Sequence, residues 1–310
     1  MSKIAFLFPG QGSQTVGMGK DIYDKNSIAQ NVFEKANDIL GKSITGLCFE
    51  GPEEDLKQTV NTQPCIVVNS IALYEALQDK LAVKPSFVAG HSLGEYCAMY
   101  VAGVMDFETT LKSIQKRADL MSTIKGGMMS AVINTPDEAL KTALEEASKV
   151  GYVDIANYNS PVQVVLTGDE KAVQKAGEIL ISLGVRKVVP LATSGAFHSK
   201  YLKEVSEEFK KFVETIDISD AKIPVITNVD AKETTKAEEF RLKMPEQMHS
   251  SVYWTQTIQK MIENGVDTFV EIGNGKVLAG LNRKIAPDAK FYNVFDNESL
   301  ETTVQALNNN

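Results

Sequence analysis

The pentapeptide Gly90-His91-Ser92-Leu93-Gly94 constrains the fold of this chain more than any other segment. A serine between two glycines at this spacing is typical of a sharp turn from a strand into a helix, which exposes the hydroxyl as a nucleophile. The flanks favour that turn over a chance match in a loop, because residues 86–89 predict a short buried strand and residues 95–102 predict a helix. We therefore expect Ser92 at a helix N-terminus, where a developing negative charge is stabilised.

Composition limits the class of protein. A chain of 310 residues with 43% hydrophobic content can bury one large core, or a core with an inserted subdomain. The apolar run at residues 4–8 is too short for a signal peptide or a membrane span. Three cysteines, Cys48, Cys65 and Cys97, fit reduced core residues better than a disulfide framework, so we expect a cytoplasmic protein. The net charge of -8 argues against general nucleic-acid binding.

The order of predicted elements indicates two parts. Between residues 128 and 191 the pattern predicts strand, helix, strand, strand, helix and strand, which is the ferredoxin-like order. We expect an α/β fold in which a large α/β-hydrolase-like domain, residues 1–126 and 195–310, holds an inserted small ferredoxin-like (βαββαβ) subdomain, residues 127–194. The terminal residues 308–310 are expected to form a frayed tail.

A serine nucleophile needs a base, and the chain has only three histidines. His91 adjoins Ser92 on the turn, so its side chain should point away. His198 follows the glycine-marked return from the small subdomain and precedes a predicted helix, which places it at the edge of a cleft. His249 is expected to lie in a polar loop and to be exposed. We favour His198 as the base over a purely structural histidine in the core.

Two further segments are open to more than one interpretation. The loop at Gly10-Gln11-Gly12 lacks the lysine of a P-loop and the full dinucleotide-binding pattern, which disfavours nucleotide binding. A backbone N–H of this loop beside the N–H of Leu93 would instead form an oxyanion hole. Arg117 lies on a predicted helix, 106–124, where a lone arginine is most often a solvated surface charge, and its spacing alone does not select it.

Six segments, in order along nearly the whole chain, resemble the malonyl-CoA:acyl carrier protein transacylase family: Gly10–Gln14 (GQGSQ), Gly90–Tyr96 (GHSLGEY), Lys116–Met121 (KRADLM), Asn157–Pro161 (NYNSP), Phe197–Ser199 (FHS) and Glu271–Leu278 (EIGNGKVL). The resemblance implies that Ser92 accepts the acyl group, that His198 is the base and that Arg117 binds the malonyl carboxylate. It also implies an oxyanion hole made by the backbone N–H groups of Gln11 and Leu93.

The same resemblance assigns the remaining site residues. It implies that a main-chain carbonyl, here that of Gln247, orients the histidine in place of a carboxylate. It further implies that Phe197, Met121 and Asn159 contact the substrate. An aromatic ring at Phe197 beside the acyl chain goes with malonyl rather than methylmalonyl transfer in similar enzymes.

The function implied is transfer of malonyl from malonyl-CoA to the phosphopantetheine thiol of acyl carrier protein, for fatty acid synthesis. No cofactor or metal is implied, since the coenzyme A thioester is itself a substrate, and no nucleic-acid or membrane partner is expected. A free-standing acyltransferase that loads a polyketide synthase carrier domain is an alternative. A serine hydrolase or thioesterase is a second, with Asp154 or Asp169 as the acid, and a non-enzymatic scaffold is a third.

Overall fold

The computed structural model describes residues 2–309, which form two β-sheets flanked by helices. The strands, numbered along the chain, are β1 (Lys3–Phe8), β2 (Phe87–Gly90), β3 (Met128–Ile133), β4 (Val153–Ser160), β5 (Gln163–Gly168), β6 (Lys187–Pro190), β7 (Val225–Ile226), β8 (Glu233–Thr234), β9 (Val266–Ile272) and β10 (Lys290–Val294). The helices are α1 (Lys20–Lys25), α2 (Ser27–Leu40), α3 (Ile44–Phe49), α4 (Glu53–Leu56), α5 (Thr59–Gln78), α6 (Gly94–Val101), α7 (Phe107–Thr123), α8 (Asp137–Ala147), α9 (Glu170–Ser182), α10 (Lys203–Val213), α11 (Ala237–His249), α12 (Trp254–Glu263), α13 (Val277–Ile285) and α14 (Asn297–Asn308).

The larger sheet has the strand order β10-β9-β1-β2-β7-β8, and all of its strand pairs are parallel except β7 with β8. Its central strand β1 is apolar on both faces: Phe6 and Phe8 join one hydrophobic cluster, whereas Ala5 and Leu7 join another. Burial on both faces is typical of parallel strands covered by helices. Phe8 pairs with Gly90, so the carboxyl ends of β1 and β2 lie side by side and the two segments that follow them meet.

The smaller sheet has the order β4-β5-β3-β6 and is antiparallel throughout. Helices α8 and α9 pack against one face of it through a separate apolar cluster. The chain order βαββαβ and this strand order together form a ferredoxin-like subdomain, so the expected fold class is confirmed. Gly126 and Gly195 form an isolated bridge where the chain enters and leaves the subdomain. The domain boundaries at residues 126/127 and 194/195 stay a prediction.

Helices α5 and α7 pack against each other. Helix α5 is buried along most of its length, and α7 packs against it with Arg117 on the buried side. Among the helices of residues 2–309, none has both the length and the apolar character that a membrane crossing requires.

The chain terminus differs from the sequence-based expectation of a frayed tail. Asn308 ends α14, and its side chain donates to the carbonyl of Lys80 and accepts from the N–H of Ala82. These two bonds fix the end of the helix against the loop that follows α5, so the prediction is wrong for this residue. Asn310 lies outside the described residues.

Candidate active site

The turn between β2 and α6 places Ser92 just beyond the carboxyl end of β2 in the large sheet. Its backbone is left-handed, with φ of 52°, a conformation that non-glycine residues adopt at strained functional turns. Glycine is required on both sides: a Cβ at Gly90 would lie 1.9 Å from the carbonyl carbon of Gly94, and a Cβ at Gly94 would lie 2.3 Å from the carbonyl oxygen of Phe8. The strand and the helix therefore approach too closely for any side chain, which presents the serine outward.

The base expected from the sequence, His198, contacts the serine. Its Nε2 lies 2.8 Å from Ser92 Oγ, and its Nδ1 lies 3.0 Å from the carbonyl oxygen of Gln247 and 3.1 Å from that of Ser250. Carbonyl oxygens only accept, so Nδ1 carries the proton and the lone pair of Nε2 faces the serine hydroxyl. Burial, with the positive charge of Arg117 second, lowers the pKa of His198 to about 3. The imidazole is therefore neutral at pH 7 and can accept a proton.

Arg117 is fully buried and points at the nucleophile. Its Nη2 donates to Ser92 Oγ at 3.0 Å and to the side-chain oxygen of Gln247 at 3.1 Å, and its Nη1 donates to the side-chain oxygen of Gln63 at 2.7 Å. All of these acceptors are neutral, and within residues 2–309 no carboxylate forms an ion pair with the guanidinium. Burial lowers the pKa of Arg117, yet an arginine stays charged at neutral pH. The carboxyl of Glu95 is near enough to act on that pKa but makes no ion pair with the guanidinium in the described chain, so the hydrogen bonds of Arg117 go to neutral acceptors that an anionic group can replace.

Two backbone N–H groups near Ser92 are available for an oxyanion. In the described part of the chain, neither the N–H of Gln11 nor that of Leu93 donates a hydrogen bond. The N–H of Ser92 itself is occupied, because it donates to the side-chain oxygen of Asn228 at 2.7 Å. Gln11 follows β1 and Leu93 opens α6, so both groups lie at the same sheet edge. This is the arrangement that stabilises a tetrahedral intermediate in acyl transfer.

A cavity of about 260 Å³ opens onto the serine and the histidine. The aromatic ring of Phe197 lies on its wall, beside His198. Its lining residues come from the loops after β1 and β2, from strands β3 and β4 of the small sheet, from the segment after β6 and from Lys57 after α4: Gln11, Gly12, Gln14, Lys57, His91, Ser92, Met129, Asn157, Leu191, Ala192, Thr193, Phe197 and His198. A substrate in this cavity would lie between the large sheet and the small subdomain, a usual place for an active site.

Arg117 does not line this cavity, and two further residues that the resemblance assigned to the substrate also lie outside it. Asn159 lines an adjoining cavity of about 240 Å³ and holds the imidazole of His91, with Oδ1 and Nε2 2.8 Å apart. Met121 is buried, and its sulfur accepts from the side-chain nitrogen of Gln63 at 3.4 Å. Asn159 therefore contacts His91, the neighbour of Ser92, and Met121 contacts Gln63, the partner of Arg117, and neither lies on the cavity wall beside Ser92.

The residues considered as alternatives lie elsewhere. Asp169 accepts from the hydroxyl of Tyr201 and from a backbone N–H, and Asp154 is exposed and bonds the next backbone N–H. The two carbonyls at Nδ1 occupy the position where a hydrolase would have its acid. His249 ends α11 and is half-buried rather than exposed, and it takes no part in the hydrogen bonds around the serine.

Sequence reasoning missed three polar residues that support the site. Gln63 on α5 contacts Arg117, and Asn228, after β7, contacts the backbone of the serine turn. Glu95, in the first turn of α6, is buried and accepts from the N–H of Asn228. A glutamate directly after the Gly-x-Ser-x-Gly motif, facing an apolar helix core, was the one signal available in the sequence.

Comparison with known proteins identifies the family. The chain matches the acyl transferase domain family over residues 5–285. It is 40% identical to the malonyl CoA-acyl carrier protein transacylase of Bacillus subtilis (strain 168) over 99% of this chain and 98% of that protein. It is 42% identical to a polyketide biosynthesis malonyl CoA-acyl carrier protein transacylase of the same organism, over 93% and 98% of the two chains.

A solved structure agrees over the same length. The chain superposes, with a TM-score of 0.95, 35% identity and coverage of 98% and 100% of the two chains, on a malonyl-transacylase in complex with its type II polyketide synthase acyl-carrier protein. With matches of this extent in both sequence and fold, the chain belongs to the acyl transferase family and, within it, to the malonyl-CoA:acyl carrier protein transacylases.

Proposed function

We propose that this chain moves a malonyl group from malonyl-CoA to the phosphopantetheine thiol of an acyl carrier protein, in fatty acid synthesis, through a malonyl ester on Ser92. The observation that supports this most is the buried guanidinium of Arg117, which lies 3.0 Å from the nucleophile and forms no ion pair in the described chain. An acyl group that ends in a carboxylate supplies that partner. The geometry of a guanidinium matches a carboxylate with two parallel hydrogen bonds.

In the first half-reaction, Ser92 Oγ attacks the thioester carbonyl while His198 Nε2 takes its proton. The carbonyls of Gln247 and Ser250 hold Nδ1–H, so the ring keeps its orientation as it becomes charged. The N–H groups of Gln11 and Leu93 bind the resulting oxyanion. Collapse of the intermediate breaks the C–S bond, and the thiol of coenzyme A leaves with the proton from Nε2.

The second half-reaction uses the same groups in the reverse order. The carrier thiol gives its proton to His198 Nε2 as its sulfur attacks the malonyl ester. The oxyanion forms again at the same two N–H groups. Collapse then breaks the bond to Ser92 Oγ, which regains the proton, and the malonyl group leaves on the carrier.

A second candidate differs only in the carrier. The chain is 42% identical to a relative named for polyketide biosynthesis, so loading of a polyketide carrier domain is the alternative. The Ser92, His198 and Arg117 geometry serves both equally, since the chemistry at the thioester is identical. Relative rates with a fatty acid carrier and a polyketide carrier, measured at equal concentration, separate the two.

We place the reaction in the cytoplasm. All three cysteines, Cys48, Cys65 and Cys97, are buried and carry free thiols. Unpaired cysteines are typical of a reducing compartment.

Intact-mass spectrometry after incubation with malonyl-CoA tests the proposed ester. We expect one malonyl adduct on the wild-type protein and none on Ser92→Ala. Ser182→Ala, which removes an exposed hydroxyl on α9, is the matched control and should acylate fully. A Ser92→Ala protein that still gains one malonyl group would refute the assignment.

A further inference from the structure

The side chain of Asn228 spans the serine turn. Its Nδ2 donates to the carbonyl of Gly90 at 2.8 Å, and its Oδ1 accepts from the N–H of Ser92 at 2.7 Å. The two contacts are on either side of the left-handed serine backbone, where φ is 52°. A strained conformation of this kind persists only where its surroundings fix it. Asn228 supplies hydrogen bonds to the last strand residue and to the nucleophile at once.

Glu95 fixes Asn228 in turn. Its Oε2 accepts from the backbone N–H of Asn228 at 2.5 Å, and the carbonyl of Asn228 accepts from the N–H of Tyr253 at 3.0 Å. Glu95 therefore connects the first turn of α6 to the loop after β7, next to the residue it helps to position. The backbone N–H and carbonyl of Asn228 are thus both hydrogen-bonded, and these two bonds fix the residue with its side chain toward the serine turn.

The buried carboxyl of Glu95 forms no direct ion pair. Glu95 is 1% exposed, and no ion pair with it occurs in the described part of the chain. Its charged surroundings are Arg117 on α7, Lys243 on α11 and Asp230 in the loop after β7. Burial raises the pKa of its carboxyl to about 7, against the effect of the Asn228 N–H. Burying a carboxyl without a direct ion pair is costly, so stability alone gives no reason for it.

We propose that Glu95 is a positioning residue, which acts through Asn228 to hold the Ser92 N–H out of the cavity and Ser92 Oγ in line with His198. With the Ser92 N–H occupied, the Leu93 N–H is the group of the turn that faces the oxyanion. The hydrogen bond to Asn228 carries the effect, so an acceptor oxygen at the end of the side chain is what residue 95 must supply. This inference rests on the proposed role of Ser92 as the acyl acceptor.

The test compares Glu95→Gln, Glu95→Ala, Asn228→Ala and the double variant Glu95→Ala with Asn228→Ala. The rate of malonylation of Ser92 is measured in a single turnover at saturating malonyl-CoA, with the KM for malonyl-CoA and the Tm alongside. Glu95→Ala should acylate about 10- to 100-fold more slowly, the range expected for a hydrogen bond to a charged group. Its KM should change little. Glu95→Gln, which keeps an acceptor oxygen, should recover most of the rate.

The double variant distinguishes positioning from general stabilisation. If Glu95 acts through the side chain of Asn228, removing both should cost no more rate than Asn228→Ala alone. Multiplied losses, a Glu95→Ala rate equal to wild type, or a Glu95→Gln rate as low as that of Glu95→Ala would each overturn the proposal. If Glu95→Ala does not fold, the other two variants decide the question. An Asn228→Ala protein that acylates as fast as wild type, or a Glu95→Gln protein that acylates slowly, would overturn the proposal. Slow acylation of Asn228→Ala together with a rate near that of wild type for Glu95→Gln would support it.

A second buried glutamate serves as the matched control. Glu271 accepts from the N–H groups of Leu278 and Ala279 at the start of α13 and makes no hydrogen bond to residues 90–94 in the described chain. Glu271→Gln should therefore change the Tm without changing the acylation rate. The wild-type adduct is measured first: its absence would refute the proposed function, whereas its presence with unaffected variants would refute only the role of Glu95.

Discussion

Replacing Arg117 by alanine should change which acyl group the protein accepts. In the structure the guanidinium makes three hydrogen bonds, to Gln63, Gln247 and Ser92. None of the acceptors is charged, so no ion pair in the described chain competes with the malonyl carboxylate for the guanidinium. Arg117→Ala leaves that carboxylate in a buried site without a partner. Acetyl has no carboxylate and loses no such contact.

The size of the effect follows from burial. Breaking a buried charge pair by removing one partner costs about 3–5 kcal/mol. Since about 1.4 kcal/mol is a factor of ten, kcat/KM for malonyl-CoA should fall roughly 100- to 3,000-fold. Arg117 also donates to Ser92 Oγ, and that contribution is lost for every acyl group. The ratio of kcat/KM for malonyl-CoA to that for acetyl-CoA cancels it and isolates the carboxylate contact.

The assay measures both thioesters on wild type, Arg117→Ala and Arg117→Lys by release of coenzyme A. Lysine restores the charge without the planar pair of donors, so it should recover only part of the malonyl preference. Thermal melting of each variant checks that the core between α5 and α7 is intact. A malonyl to acetyl ratio that stays the same in Arg117→Ala would refute the reasoning and assign Arg117 to the fold or to the serine alone.

Four other changes test the structure at separate points. Gly94→Ala should abolish acylation and lower the Tm, because its Cβ would lie 2.3 Å from the last carbonyl oxygen of β1, whereas Gly280→Ala, whose Cβ meets nothing within 4 Å, should keep both. The pKa of His198 is lowered from 6.5 to about 3. Between these pH values the unfolded chain binds a proton at this residue and the folded chain does not, so the free energy of unfolding should fall on acidification. His198→Gln should flatten that slope in denaturant titrations. Burial raises the pKa of Glu271 from 4.5 to about 7, so its effect on stability has the opposite sign. Between these pH values the folded chain holds the proton and the unfolded chain does not, so the free energy of unfolding falls as the pH rises, and Glu271→Gln should remove that fall. Phe197→Ser should bring kcat/KM for methylmalonyl-CoA closer to that for malonyl-CoA, by about 1–3 kcal/mol at most, and an unchanged ratio would remove this ring from substrate selection.

The parts of the fold that follow local patterns were predictable. The Gly-x-Ser-x-Gly spacing gave the turn because it encodes a steric requirement, and the apolar runs at β1 and β2 gave a buried sheet. The short helices α1, α3 and α4 were not predicted, since four to six residues are too few to show a helical period.

Arg117 shows a signal that was available but not used. Ile114, Leu120 and Met121 lie three or four residues from it and are buried on the same helix, so Arg117 lies within the apolar face of α7. A charge on that face predicts a buried arginine rather than a surface one. Periodicity alone could have placed it inside, although not beside the serine.

The contacts that complete the site have no local signature. Asn228 meets Ser92 across 136 positions of sequence, and nothing near either residue encodes that distance. The groups that orient His198 are main-chain carbonyls, which every residue carries, so side-chain identity cannot reveal them. Only the assembled sheet edge brings them together.

The absence of an acid beside His198, in the part of the chain described, follows from the charge that Arg117 must keep. A carboxylate at the position of the Gln247 and Ser250 carbonyls would lie close enough to attract the guanidinium and to raise the pKa of the imidazole. The site would then hold a compensated arginine, and an incoming malonyl carboxylate would compete with an internal one. Neutral carbonyls fix the same tautomer of His198 without supplying negative charge. A serine site with carbonyl orienters is therefore compatible with an anionic acyl group, whereas a hydrolase triad built on an aspartate would oppose it.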